Sequence, residues 1–212
     1  MDISFWLQKW ENNDISFHES DTNPLLVKHF KSLGLASGQR ILLPLCGKTL
    51  DIAWLLTHGY QVVGIELSEM AIQQLFVALE LKPTVVKVGK LVHYRAAGID
   101  LFVGNIFDAS KQIIGPVDGI YDRAALVALP GELRDRYSRY LPIITSTAAQ
   151  LLITYEYDQH LMSGPPFSIN EAAVRAYYGT QYTITLRESK VVDGGLKGLC
   201  TATENVWLLV PR

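Results

Sequence analysis

Ile41-Leu42-Leu43-Pro44-Leu45 is an apolar run that stops at Cys46-Gly47-Lys48-Thr49, and Gln61-Val62-Val63-Gly64-Ile65 is a second that stops at Glu66. Between them residues 50–58 read as a helix, and Gly59-Tyr60 turns the chain. Two short apolar strands flanking a helix predict a βαβ unit, whose parallel strands are buried on both faces. The turn after the first strand and the acid ending the second then share the carboxyl edge of the sheet. Open α/β sheets bind their ligands at that edge.

Glu66 follows Gly47 by nineteen residues. A carboxylate at that spacing suits a bidentate grip on two adjacent ribose hydroxyls, as in adenosine binding. A charged acid at the end of an apolar strand has little packing value and must find donors. The plain alternative is a solvated acid at a strand end, and the spacing alone leaves both open. Two other nucleotide sites are excluded. A dinucleotide fold wants G-x-G-x-x-G, and Gly47 stands alone. Gly47-Lys48-Thr49 resembles the tail of a P-loop, but the leading glycine position holds Leu42. What remains is a nucleoside site without a polyphosphate, and S-adenosylmethionine is the commonest such cofactor on this fold.

The 212 residues are 49% hydrophobic and 19% charged, enough apolar content for a substantial core and against disorder. The net charge of −2, with Lys and Arg scattered, marks no nucleic-acid partner. Cys46 and Cys200 make neither a metal pattern nor a disulfide framework. Met1-Asp2-Ile3-Ser4 begins no signal peptide, and no apolar run reaches the ~20 residues of a membrane span. The expectation is a cytoplasmic, monomeric, single-domain protein over residues 1–212, with a helical cap over 1–35 and an α/β core over 36–212.

Trp6 and Trp10 share one face of an amphipathic helix that Asn12-Asn13-Asp14 ends. Two tryptophans at helical spacing read first as a helix docked on the core. The helix can also act as a lid, whose aromatic faces suit a sulfonium cation. Asn23 caps the next helix, with Pro24 in its first turn and Gly34 at its end. Ser68 caps a helix through Ile72, Leu75, Phe76 and Leu79. Residues 85–98 read as a strand pair or an irregular insertion. Residues 101–108 read as the third strand, with Asn105 or Ile106 offering backbone groups to an adenine. Residues 119–123 form the fourth strand, delivering Asp122 and Arg123 to the same edge. Pro130-Gly131 starts a helix whose Arg134, Asp135, Arg136 and Arg139 read as a solvated face. A fifth strand at 150–157 precedes a loop containing Gly164-Pro165-Pro166-Phe167, a wall for a pocket. Residues 170–178 read as a helix, and 182–186 and 204–210 as a closing antiparallel pair. The fold expected is a three-layer α/β sandwich with a mostly parallel seven-stranded sheet and an antiparallel strand in the C-terminal hairpin.

Trp6 and Trp10, Phe17-His18, Pro44-Leu45-Cys46-Gly47-Lys48, Gly64-Ile65-Glu66, Asp122-Arg123-Ala124-Ala125-Leu126 and Gly164-Pro165-Pro166-Phe167 occur in this order. In that respect the chain resembles the bacterial thiopurine S-methyltransferases, which have the class I, Rossmann-like methyltransferase fold. The resemblance spans nearly the whole chain. It implies transfer of the S-adenosylmethionine methyl to the sulfur of an aromatic or heterocyclic thiol, with S-adenosylhomocysteine as product. By position it implies that Trp10, Leu45, Glu66 and Arg123 bind the cofactor, with Gly47 in the bend that clasps it. Asn105 and Ile106 would line the adenine site, and Trp6 would lie over the cofactor beside Trp10. Phe17 would contact the aromatic substrate, and Arg123 would face substrate as well. Three positions depart from the family pattern: Thr49 stands where serine is frequent, Ala124 where glycine is frequent, and Lys197 where an arginine often approaches substrate. Lysine lacks arginine's planar fork.

The implied chemistry is in-line displacement with no covalent enzyme intermediate and no metal. Arg123 is the one catalytic residue expected, acting electrostatically on a thiolate; its bland role is an ion pair with Glu66 or Asp122. Cys46 reads as a small residue behind the turn rather than a nucleophile. Selenium or tellurium compounds are alternative soft acceptors, and a non-catalytic S-adenosylmethionine sensor is the non-enzyme alternative.

Overall fold

The computed structural model describes residues 3–212; Met1 and Asp2, and with them the start of the signal-peptide reading, lie outside the described residues. The opening stretch forms the unit expected: β1 (Arg40–Pro44), α3 (Asp51–Thr57) and β2 (Gln61–Glu66), with β1 and β2 parallel. Before it come α1 (Ile3–Glu11), α2 (Pro24–His29) and a 3-10 turn, Phe30–Leu33. After it the chain runs through α4 (Glu69–Ala78), β3 (Thr84–Val88), β4 (Leu91–Ala96), β5 (Ile99–Val103), α5 (Lys111–Ile114) and β6 (Gly119–Arg123). It ends with α6 (Gly131–Thr145), β7 (Ala149–Tyr157), α7 (Glu171–Tyr178), β8 (Tyr182–Val191) and β9 (Ala202–Pro211).

The helix starts follow local chemistry. The Asn23 side-chain oxygen accepts from the Leu25 and Leu26 amides at 2.9 and 3.4 Å, with Pro24 in the first turn. Ser68 accepts from the Ala71 amide at 3.2 Å, and Asn170 from the Ala173 amide at 2.9 Å. Thr49 retains part of a serine's role, its hydroxyl accepting from the Asp51 amide at 3.3 Å.

The strands form one sheet in the order β3-β4-β5-β2-β1-β6-β7-β9-β8. Its centre, β5-β2-β1-β6-β7, is parallel, and β9 runs antiparallel between β7 and β8. Side chains alternate across it. Ile41, Leu43 and Val62 pack with Leu26, Ile52, Leu55, Ile72 and Leu75 on one face. Leu42 and Val63 pack toward Tyr137, Leu141, Val174 and Tyr178 on the other. These are the three layers expected.

Nine strands replace the seven expected, because residues 84–96 form an antiparallel hairpin that pairs with β5. The pattern was ambiguous because β3 is an edge strand whose Val85 and Val86 are exposed. The last two strands are also longer than expected, with a bulge between Leu186 and Glu188. The strand order reverses at β1, which has β2 on one side and β6 on the other. The crevice beyond the carboxyl ends there is where a doubly wound sheet takes its ligand. No helix among the described residues is long and apolar enough to cross a membrane.

Candidate active site

A cavity of about 840 Å³ opens at that crevice. Its floor is the ends of β1, β2, β5 and β6, and its walls are α1 with the loop after it, residues 164–166, and the 196–197 turn between β8 and β9. Trp6, Trp10, Phe17, Leu45, Gly47, Glu66, Asn105, Ile106, Arg123 and Lys197 all line it. The positions singled out in the sequence are therefore one surface.

The β1 turn and Glu66 are mutually braced. One carboxylate oxygen accepts from the Gly47 amide at 2.7 Å, and the other from the Ser68 amide at 2.9 Å. Glu66 is 6% exposed; burial pushes its pKa up, and the amides of Ser68, Gly47 and Leu67 oppose that. A carboxylate offers about four acceptor positions, so two remain for a ligand. The bend uses left-handed backbone at Leu45, φ 48°, and at Gly47, φ 54°. Gly47 has a second reason to be glycine: a Cβ there would lie 3.0 Å from the Trp10 indole. Cys46 is buried behind the turn, and burial pushes its thiol pKa well up, which works against a nucleophilic thiolate there.

The N-terminal segment covers the cavity with an aromatic cluster. Phe17 meets Trp6 and Trp10 edge to face, with ring centroids 5.6 and 5.4 Å apart. Trp10 is buried, so it is both a docked core residue and a cavity wall. The Lys48 ammonium lies 5.9 Å from the Trp10 ring centroid and bonds Gln74 at 2.8 Å. Lys9 on α1 is paired with Asp14.

Arg123 is paired with neither Glu66 nor Asp122. It forms an ion pair with Glu19 and donates to the Phe17 carbonyl at 3.3 Å. Glu19, 104 residues away in sequence, also accepts from the Asn23 side chain at 3.3 Å. Its only signal in the sequence was its place beside Phe17-His18. Asp122 points into the core instead, accepting from the Tyr137 hydroxyl at 2.7 Å and the Leu126 amide at 3.1 Å. Burial raises its pKa to about 6 against those donors. Asn105 spends its side-chain oxygen on the Phe107 amide at 3.0 Å, capping a 3-10 turn.

Of the helix face read as solvated, Asp135, Arg136 and Arg139 are exposed, but Arg134 is half-buried and Arg136 also borders the cavity. Arg136 lines the cavity with its guanidinium 3.8 Å from the Phe107 ring centroid. Arg134 lies 5.1 Å from the Phe167 ring centroid, with Nε and Nη1 buried and unpartnered among the described residues. Neither could be seen from α6 alone, because both aromatic partners lie on other segments. Lys197 lines the cavity but donates to the Pro165 carbonyl at 2.8 Å, and burial followed by Lys9 pulls its pKa down. Phe167 is anchored through its amide to the Val127 carbonyl at 2.7 Å, which fixes the loop as a wall. Ala124, where the family often has glycine, sits at φ 69° in the cavity lining. Among the described residues no cluster of three or more His, Cys, Asp or Glu could hold a metal.

Over its whole length the chain is similar to the thiopurine S-methyltransferase of Teredinibacter turnerae, 49% identical over 209 residues, covering 99% of this chain and 97% of that one. The thiopurine S-methyltransferase of Xanthobacter autotrophicus is 48% identical over 210 residues, covering 99% of each. Among solved structures, a SAM-dependent methyltransferase from Anabaena variabilis superposes with a TM-score of 0.66 at 14% identity, covering 99% of this chain and 95% of that one, a likeness of fold. The profile named Thiopurine S-methyltransferase (TPMT) matches residues 1–209, and with relatives matched end to end at nearly half identity, this chain belongs to the thiopurine S-methyltransferase family.

Proposed function

We propose that this chain methylates the sulfur of aromatic or heterocyclic thiols, thiopurines among them, in the cavity at the carboxyl edge of its sheet. Its family makes it an S-adenosylmethionine-dependent methyltransferase with S-adenosylhomocysteine as product; the acceptor is our reading. The observation that carries it is that Glu66 shares one cavity with Phe17 and Arg123. A nucleoside anchor and an aromatic, cationic acceptor wall thus face the same space.

The residues present fit the cofactor. Glu66 has two acceptor positions left after the Gly47 and Ser68 amides, a match for the two hydroxyls of a ribose. Leu45 and Gly47 would hold the neighbouring portion through the left-handed bend, and the backbone of Asn105 and Ile106 would meet the adenine. When bound, S-adenosylmethionine supplies an electrophilic methyl on a cationic sulfur, which an acceptor sulfur takes by in-line displacement.

The protein's contribution is alignment, exclusion of water and charge. Trp6 and Trp10 offer electron-rich ring faces to a sulfonium and keep water from it. Phe17, held by both indoles, presents a flat apolar wall to an aromatic acceptor. Arg123, fixed by Glu19 and the Phe17 carbonyl, stabilises negative charge on the acceptor sulfur. Positioning of this kind supplies ~7–11 kcal/mol of a barrier. The test is incubation with methyl-labelled S-adenosylmethionine and a panel of aromatic thiols, selenols, phenols and amines. S-methyl products support the reading; methylation confined to oxygen or nitrogen, or binding without turnover on any member, refutes it.

A further inference from the structure

His18 lines the cavity between the two points that Arg123 holds, the Phe17 carbonyl at 3.3 Å and the Glu19 carboxylate. Its own amide donates to the Ile15 carbonyl at 2.8 Å, closing the turn that carries it. The backbone on both sides is therefore fixed. The imidazole is only partly buried, and no group among the described residues hydrogen-bonds to it. Most of the other titratable groups facing this space are already engaged; the Tyr121 hydroxyl, buried and without a hydrogen-bond partner among the described residues, is kept protonated by burial, Asp51 accepts from the Asn23 amide and Arg136 lies over Phe107. Glu19 is taken by Arg123, Asp14 by Lys9, Glu66 by two amides, Lys197 by the Pro165 carbonyl and Lys48 by Gln74. Tyr155 on β7 is kept protonated by burial and by Glu204.

We propose that His18 is the general base of the reaction, taking the proton of the acceptor thiol. The inference rests on the thiol reading above and deepens it: the enzyme would accept thiols still protonated at neutral pH as well as those already ionised. In the step, the acceptor S–H bond breaks, its proton passes to an imidazole nitrogen and its electron pair stays on sulfur. That sulfur forms the new S–CH3 bond as the bond between the methyl and the donor's sulfonium sulfur breaks. The pair of the broken bond passes to the donor sulfur, which leaves as a neutral thioether. The imidazolium then returns its proton to water as product departs. Burial, then the charges of Lys48 and Arg123, hold the imidazole pKa below its ordinary value, so the ring is neutral and ready to accept at pH 7. The same two cations favour the thiolate once formed.

The test uses two acceptors: an arylmethyl thiol, protonated at neutral pH, and a nitro-substituted aryl thiol, already ionised. With the wild type, kcat/KM for the arylmethyl thiol should rise along a limb below pH 6.5 and level off well under that thiol's own pKa. In His18→Gln it should fall by about 100-fold or more at pH 7 and climb with pH up to the thiol's pKa, while the nitro-aryl thiol loses a small fraction of that. Added imidazole should restore turnover of the arylmethyl thiol in His18→Ala. Equal loss on both acceptors, or no rescue, overturns the proposal. So does a wild-type profile that tracks the thiol's own pKa, which decides the matter even where a variant fails to fold. If the wild type methylates neither thiol, the thiol reading falls and this proposal with it; if it methylates both without the limb, only the base role falls.

Discussion

Glu66 is where the nucleoside reading can be broken most cleanly. Its two oxygens accept from the Gly47 and Ser68 amides at 2.7 and 2.9 Å, so the structural brace and the proposed ligand contact would depend on one side chain. Glu66→Ala removes both, and Glu66→Gln separates them. Glutamine keeps one oxygen, so one amide retains an acceptor while the other meets an NH2. Leaving one buried amide unpaired costs about 1–3 kcal/mol, offset in part because a buried charge is no longer desolvated. For a chain of this size, that is a fall in Tm of several degrees. Cofactor binding should suffer independently. Hydrogen bonds to a charged acceptor are worth about 1.5–3 kcal/mol, so Glu66→Ala should weaken S-adenosylhomocysteine by roughly 10- to 150-fold. Isothermal calorimetry on the folded variants, well below their Tm, measures the loss. Glu66→Gln should also lose affinity, because its NH2 cannot accept from a hydroxyl. A Glu66→Ala protein that melts lower yet binds S-adenosylhomocysteine as tightly as the wild type would show that the carboxylate only braces the turn.

Phe17→Ala should raise the KM of an aromatic thiol more than it raises the Kd of S-adenosylhomocysteine, although losing two edge-to-face contacts of about 0.5–1.5 kcal/mol each also loosens α1; equal losses in the two constants would make Phe17 a packing residue. Ala124→Gly should raise Tm by about 2 °C, since relieving a left-handed alanine at φ 69° returns ~1–2 kcal/mol and glycine's added freedom takes back ~0.5–1; an unchanged or lower Tm would contradict that. Asp122 is raised from 3.8 to about 6 in the fold, so the folded state holds its proton more tightly than the unfolded one. Its contribution to stability is present below pH 4 and is lost as pH rises to 6, by up to about 3 kcal/mol. The difference in unfolding free energy between wild type and Asp122→Asn should shrink by that order between pH 4 and 7 in urea titrations, and a flat difference would refute the assignment.

The elements legible in the sequence were those whose signal is local. The strand–turn–helix–strand unit at 40–66 showed itself through apolar runs and punctuation, and the helices after Asn23 and Ser68 through capping residues that the structure uses. What escaped was set by neighbours remote in sequence. The edge strand β3 carries an exposed valine pattern, because neither of its faces is buried and nothing there enforces alternation. The bulge in β8 depends on its register against β9, which neither strand's composition records.

The same distinction separates the parts of the site. Gly47 and Glu66 could be placed at one site from spacing because the βαβ unit puts the first turn and the end of the second strand at the same edge, and in the structure a 2.7 Å bond joins them. No periodicity links Glu19 to Arg123 or Arg136 to Phe107, since each pair joins different elements across the cavity. The consequence for charge is large. Read from the fourth strand alone, Arg123 is a free cation facing substrate; in the fold its charge is shared with Glu19 and its geometry with the Phe17 carbonyl. A mostly buried guanidinium held on two sides is a positioner of charge rather than a mobile clamp, because moving it would break both the Glu19 pair and the bond to the Phe17 carbonyl. Electrostatic help of that kind is strongest for an acceptor brought to it in fixed orientation. On the proposed reading the aromatic cluster of Trp6, Trp10 and Phe17 would impose such an orientation, and Arg123 is hydrogen-bonded to that cluster's own backbone.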